Sequence, residues 1–197
     1  MLSNDLTADQ ITSDQTYRGR NFDGFDLKHQ HIEARVFDGC SFVGANLMST
    51  RLNGTAFTSC NLSNARVAGC NLFSASFTSC KLLGWDFREG INLTATTFKD
   101  CNLDYSVFRG VSLQKMVFEH CSFIEADFSL TELQEASFIN CDLSNVDLQE
   151  AKFFLTDVRG ATLTGWNLRQ HDLSGIITTS SQFGALAPEI GIQILEW

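Results

Sequence analysis

The amino-acid sequence predicts an all-β solenoid built from five-residue units. Three observations carry that expectation. Large apolar residues recur every five positions from Tyr17 (then Phe22, Leu27, Ile32 and Phe37) to Phe87, slip by one residue, and resume from Leu93 to Leu173. Small or weakly polar residues stand two places before them: Ala45, Ala65, Ala75, Ala126, Ala136, Ala151, Ala161 and all seven cysteines. Glycine gathers two places after them, as at Gly39, Gly44, Gly54, Gly160 and Gly165. Neither a helix nor a simple strand has period five, and self-similarity at a fixed period marks a repeat architecture.

Each unit therefore turns two side chains inward, one small and one large. Its remaining positions, mostly Asn, Asp, Ser, Thr and Arg, face solvent, and glycine suits the corner. The segments "GANLM", "EADFS" and "SNVDLQE" resemble the A(D/N)Lxx signature of the pentapeptide-repeat family, over about residues 17–178. That resemblance implies a right-handed quadrilateral β-helix with four units per coil and about eight coils. At ~4.8 Å per rung it is a rod of roughly 40 Å. The expected organisation is an N-terminal cap or disordered segment (1–16), the β-helix (17–180), and an apolar C-terminal cap and dimerisation segment (181–197).

A four-sided coil holds 20 residues, which orders the cysteines. Cys40, Cys60 and Cys80 are 20 apart, and Cys101, Cys121 and Cys141 continue the column once the slip is counted. Phe37, Phe57, Phe77, Phe98, Phe118 and Phe138 form a parallel column of large residues. The thiols are expected to be small buried filling. A single file does not converge on one metal. Parallel rungs hold Cβ atoms farther apart than a disulfide prefers, and an interior thiol lacks the exposure and polar activator of a nucleophile. No metal or cofactor is expected.

Nothing in the sequence points to catalysis. His29, His31 and His120 fall on exterior positions and His171 in a small inward slot; no phosphate-binding loop, nucleophile elbow, zinc-protease helix or C-x-x-C is present. A filled solenoid also offers no cleft for a small substrate. No apolar run approaches the ~18 residues of a membrane span. The opening "MLSNDLTADQITSDQ" lacks a basic region followed by an apolar stretch. The expectation is a non-enzyme in the cytoplasm.

The formal net charge is −9. Residues 1–118 carry 11 acidic and 11 basic side chains; residues 119–157 carry nine acidic ones against Lys152 alone. The nine are Glu119, Glu125, Asp127, Glu132, Glu135, Asp142, Asp147, Glu150 and Asp157. B-DNA carries about six charges over the ~10 Å of two coils. The band thus matches DNA locally, though a whole rod of DNA would carry far more. It reads either as a solubility face or as a docking surface for a basic, DNA-binding partner. Direct nucleic-acid binding is not expected.

A solenoid's ends must be capped or paired. The tail "SSQFGALAPEIGIQILEW" is strongly apolar. Residues 181–187 read as a short helix ended near Pro188, and "IGIQILEW" alternates like a strand. Trp166, Phe183, Leu186, Ile190, Ile192, Ile194 and Trp197, with exposed Phe154 and Leu155 nearby, exceed what a cap needs, so the cap is expected to serve as a two-fold dimer interface. The slip "FREGINL" is expected to bulge one corner, as a tolerated irregularity or a partner contact.

Within the family, the length, the near-unbroken repeat and the tail "FGALAPEIGIQIL" are similar to the bacterial Qnr/MfpA-like group. The resemblance implies a C-terminally paired, acidic rod that acts on DNA gyrase or topoisomerase IV and protects them from quinolones or other poisons. Unlike the plasmid-type members, this chain has no projecting loops. The alternatives are a scaffolding repeat protein with an unrelated partner and a thiol-based metal or redox protein.

Overall fold

An inward residue at every fifth position obliges the chain to turn a corner in every unit. The computed structural model describes Ile11, residues 15–167 and residues 169–193. One side of each coil is a short strand: β1 (Thr16–Arg18), β2 (Val36–Asp38), β3 (Ala56–Thr58), β4 (Ser76–Thr78), β5 (Thr97–Lys99), β6 (Val117–Glu119), β7 (Ser137–Ile139), β8 (Thr156–Asp157) and β9 (Ile176–Ile177). They form one parallel sheet in chain order, which makes a β-solenoid of about eight turns. Phe37 lies opposite Phe57 and Phe57 opposite Phe77, a register of 20 residues. Phe77 lies opposite Phe98, so the extra residue falls within that one coil. The other three sides pair through single residues, as in Ser41 with Asn61, Asn46 with Arg66 and Arg51 with Asn71.

The corner residue adopts left-handed backbone angles whether or not it is glycine. His29, Ser49, Asn64, Tyr105, Lys115, Glu125, Leu130, Glu135, Glu150 and Leu155 all have φ between 53° and 62°. Glycine sits at the corner as expected, at Gly39, Gly44, Gly54, Gly160 and Gly165, and other residue types share the position. No β-branched residue takes a corner among the described residues, in keeping with its steric intolerance of positive φ. At Gly165 an added Cβ would press on the side chain of Asn145 on the previous coil, which would have to turn aside.

The Asn or Asp before each large residue has a structural task. Its side-chain oxygen accepts the N–H two residues on, as Asn61 does from Ser63 (3.1 Å) and Asp147 from Gln149 (2.9 Å). This Asx turn fixes the approach to the corner.

Inside, the six phenylalanines are buried and stacked in file. Ring centroids are 5.1 Å apart for Phe37–Phe57, 5.0 Å for Phe57–Phe77 and 5.1 Å for Phe118–Phe138, close to the rung spacing. Residues in the small slots do more than fill. Cys60 Sγ lies 3.3 Å from the Phe37 carbonyl, Cys80 Sγ 3.4 Å from Phe57, Thr55 Oγ1 2.6 Å from Ile32 and Trp85 Nε1 2.8 Å from Leu62. Each donates to the carbonyl of a large residue on the coil before.

All seven thiols are free and buried. Burial pushes the Cys70 thiol from its ordinary 9.0 up to about 12. A thiol with a raised pKa stabilises the fold fully below its unfolded value, and that contribution is lost as pH climbs towards about 12. We therefore expect unfolding free energy to fall by roughly 1.4 kcal/mol per pH unit above about pH 9 for such a group. Urea titrations at neutral and alkaline pH measure this. The same burial predicts that a thiol-specific reagent at neutral pH labels none of the seven in the folded protein and all of them in denaturant.

At the C-terminus the chain leaves the coil as helix α1 (Ser180–Leu186), with Thr179 as N-cap and Gln182 completing a capping box. A 3-10 turn, Ala187–Ile190, carries the chain across Pro188 to a left-handed Gly191. Pro188 therefore does not end helical structure: its missing N–H is not needed at the first turn of the new segment. The expected strand over "IGIQILEW" does not appear at Ile190–Gln193, and its remainder, 194–197, lies outside the described residues. Among the described residues no helix is long and apolar enough to cross a membrane.

Candidate functional site

The nine carboxylates of the acidic band encircle the rod. Glu119 stands at the end of β6 and Asp157 in β8, both on the strand side. Asp142 pairs with Ser122 on the next side, Asp127 with Asp147 on the third, and Glu132 with Lys152 on the fourth. Glu125, Glu135 and Glu150 occupy left-handed corners.

Their partners divide them. Glu119 meets Lys99 (3.5 Å), Glu132 meets Lys152 (3.5 Å), and Glu135 meets Lys115 at 3.9 Å. Arg159 grips Asp157, with Nη2 2.7 Å from Oδ2, and this hydrogen bond holds the Asp157 carboxyl below its usual range. Asp142 accepts the N–H and hydroxyl of Ser144, as Asp127 does those of Ser129. It too forms no ion pair among the described residues, but it stands on a different side of the rod from the remaining four. Glu125, Asp127, Asp147 and Glu150 form no ion pair among the described residues. These four share one side of the rod. Asp127 and Asp147 sit on adjacent rungs, Glu125 at the corner before Asp127 and Glu150 at the corner after Asp147.

The opposed rungs place the two aspartates about 4.8 Å apart along the rod. Each keeps its Asx turn through Oδ1: Asp127 Oδ1 accepts the Ser129 N–H (2.9 Å) and hydroxyl, Asp147 Oδ1 accepts Gln149 N–H, and neither Oδ2 has a hydrogen-bond partner among the described residues. Toward the N-terminus this side becomes internally compensated. Arg88 closes on Asp86, and Arg109 donates to the Ser129 hydroxyl at 3.2 Å. Exposed Tyr105 and Leu130 occupy corners flanking the four carboxylates, which gives the surface apolar contact area beside its charge.

The residues expected at a dimer interface separate into groups. Trp166 is 3% exposed, lies in a small inward slot, and donates its Nε1–H to the Leu143 carbonyl at 2.9 Å. It is core, which corrects its assignment to the interface. Its indole fits because its N–H reaches the same kind of acceptor that a threonine or cysteine reaches elsewhere. Leu186 is likewise buried, under the cap. Phe154, Leu155, Ile177, Phe183 and Ile192 are exposed near the C-terminal end, Phe154 at 58%. Ile194 and Trp197 lie outside the described residues, and the structure describes no side chain at Ile190.

Sequence reasoning missed Gln182. Its Nε2 donates to the Val158 and Ala161 carbonyls, both at 2.8 Å. Its Oε1 accepts the N–H groups of Thr179 (3.0 Å) and Gly160 (3.3 Å). One amide thus stands in for the next rung on the side where the chain departs.

No cluster of His, Cys, Asp and Glu suited to a metal occurs among the described residues. The void lined by Phe128, Leu133, Phe138 and Trp166 near the C-terminal end has about 10 Å³, room for at most one water.

Two family models match the chain: "Pentapeptide repeat region" over residues 70–130, and "Pentapeptide repeats (8 copies)" over residues 35–64, 117–149 and 141–177. A comparison with curated protein sequences returned no match. Among solved structures, a trypsin-treated variant of QnrB1, a plasmid-mediated fluoroquinolone resistance protein, is similar with a TM-score of 0.68 at 24% identity. That alignment covers 98% of this chain and 93% of that one. A second trypsin-treated variant aligns with a TM-score of 0.62 at 26% identity, over 92% and 87%. Full-length QnrB1 aligns with 0.59 at 24% identity, over 90% and 88%.

Proposed function

The chain belongs to the pentapeptide-repeat family, and on that premise we propose that it is a non-catalytic cytoplasmic protein that binds a type II topoisomerase. DNA gyrase or topoisomerase IV is the partner, and binding protects it from fluoroquinolones or other poisons. The observation that carries this reading is the side of the rod on which Glu125, Asp127, Asp147 and Glu150 lack ion-pair partners, on a chain similar along its length to QnrB1. These groups engage the basic surface on which the enzyme holds DNA, with Tyr105 and Leu130 adding contact area. Glu132 and Glu135 contribute less, because Lys152 and Lys115 already compensate them. Two copies join through the apolar C-terminal end, at Phe154, Leu155, Phe183 and Ile192, and not through Trp166.

The test is gyrase supercoiling with the purified protein titrated in, with and without a fluoroquinolone. Rescue in the drug's presence supports protection; inhibition alone supports competition with DNA and removes the protective role. The variant Glu125→Gln, Asp127→Asn, Asp147→Asn, Glu150→Gln keeps each Asx acceptor and so keeps the fold. We expect it to lose at least tenfold in gyrase affinity and to show a shallower salt dependence. Unchanged affinity at low salt would sink the electrostatic mechanism.

The absence of a projecting loop among the described residues favours a second reading, a scaffold for an unrelated protein. It predicts no effect on supercoiling at tens of micromolar.

A further inference from the structure

The ladder follows one rule along the rod. The N–H of each large residue donates to the carbonyl 19 positions on, as Phe22 does to Ser41, and the N–H before it donates 21 positions back, as Ser41 does to Arg20. The coil beginning at Trp85 breaks this rule twice in mid-rod; among the described residues the other breaks are at Leu148–Asn167 and Phe153–Asp172, where the repeat ends. On the side carrying Asp86 it bonds mainly to the coil after it: Val107 N–H meets the Trp85 carbonyl at 2.8 Å and Phe87 N–H the Val107 carbonyl at 2.9 Å, while the coil before it is held at the corner by Gly69 N–H to the Glu89 carbonyl at 2.6 Å. The bonds that would join Val67 and Asp86 to the coils on either side of their gap are missing. On the next side it bonds only to the coil before it, Asn92 N–H to Cys70 and Leu72 N–H to Asn92, each at 3.0 Å. There the N–H groups of Leu93, Ala95, Ser112 and Val117 have no acceptor among the described residues, and Thr97 does not pair with Val117.

The coil therefore descends against its follower on one side and climbs against its predecessor on the next. The extra residue in the Arg88–Ile91 stretch supplies the length for this step. Bulky residues hold it open. Trp85, Ile91, Val111 and Met116 occupy slots that elsewhere mostly hold Ala, Cys, Ser or Thr. The two gaps open as clefts. One, of about 290 Å³, is lined by Arg66, Val67, Gly84, Asp86 and Glu89; the other, of about 870 Å³, by Ile91, Leu93, Val111, Lys115 and Met116. The remaining two sides stay continuous, through Phe77–Phe98–Phe118 and Lys81–Asn102–Ser122.

We propose that this step is a flexure built into the rod, at which an N-terminal arm (β1–β4) and a C-terminal arm (β5–β9) change their mutual angle. A solenoid resists bending through its ladder, because closing one side requires stretching hydrogen bonds on another. Here the ladder is open on one side at the junction before the Trp85 coil and on the adjoining side at the junction after it, so the sides that stay paired at each junction act as the leaf of a hinge. The larger cleft sets the direction: the arms fold toward the side of Ile91–Thr97 and Val111–Val117. This holds whatever the partner is.

The test uses the full chain. Amide exchange by NMR is expected to be at least 100-fold faster for Leu93, Ala95, Ser112 and Val117 than for Leu72, Ser74, Leu113 and Lys115, which occupy equivalent but bonded positions. Spin labels at Lys28→Cys and Gln149→Cys, spanning the step, are expected to give a distance distribution at least twice as wide as labels at Arg18→Cys and Phe73→Cys, within one arm whose ladder is unbroken. Deleting Gly90 together with Trp85→Ala, Ile91→Cys, Val111→Thr and Met116→Ala restores the 20-residue coil and is expected to narrow the first distribution. If that variant fails to fold, the two wild-type distributions decide. Equal widths, or slow exchange at the four amides, would overturn the proposal.

Discussion

Replacing Gln182 by leucine lowers the stability of the C-terminal coils by about 3 kcal/mol, and replacing it by glutamate costs nearly as much. Leucine leaves the carbonyls of Val158 and Ala161 and the N–H groups of Gly160 and Thr179 without their partner. Each buried polar group left unpaired costs roughly 1–3 kcal/mol, less where water reaches it. Gln182→Glu separates two roles. A carboxylate still accepts from Thr179 and preserves the capping box, but it has no N–H to give the two carbonyls. If the glutamate variant proves as stable as wild type, the residue matters only as a helix cap. Urea denaturation followed by tryptophan fluorescence reads the loss, because Trp166 sits on the affected coil. Both variants also expose an unpaired strand edge, which other chains can extend. Concentration-dependent light scattering should rise with the loss of stability.

The Phe118→Ala substitution costs more, about 3–5 kcal/mol, the usual range for removing a buried phenylalanine ring. Phe118 stacks on Phe98 at 5.6 Å and Phe138 at 5.1 Å, and meets the edge of Phe123 at 5.2 Å. Neighbouring rungs cannot collapse onto the hole, because the ladder sets their separation. Removing the sulfur of Cys121 one slot away is expected to cost about 1 kcal/mol, since alanine fills that kind of slot elsewhere. Equal costs for Phe118→Ala and Cys121→Ala in urea denaturation would contradict the file of rings as the principal source of stability.

Much of this arrangement was legible as period and phase. The five-residue step places Phe98 over Phe77 and Cys101 over Cys80 without any coordinates, because every unit repeats one backbone geometry. The left-handed angles of the non-glycine corners were not legible, for a physical reason. Glycine adopts left-handed angles most readily, yet Leu130, Leu155 and Glu125 adopt them too, since the core on either side fixes the path of the chain. Trp166 counted towards the interface as part of the apolar surplus at the C-terminal end. A clue lay in Trp85, which occupies the same phase of the repeat and is fully buried. The grouping of the carboxylates was recoverable by stepping 20 residues: Lys99 precedes Glu119, Lys115 precedes Glu135, and Lys152 follows Glu132. Composition alone cannot distinguish a ring of compensated charge from one uncompensated side. The step at Trp85 was visible only as a phase slip, since nothing in a sequence records which neighbour a coil bonds to.

The Asx turn has a consequence for how such a rod can change. Aspartate and asparagine make the same bond to the N–H two residues on, as Asp147 does to Gln149 and Asn61 to Ser63. A single nucleotide change interconverts them. Surface potential can therefore drift along the lineage, one unit at a time and on any side of the rod, with the backbone indifferent to the exchange. A neutral solenoid and a polyanion are neighbours in sequence space here, so a new basic partner can be met by selection on charge alone.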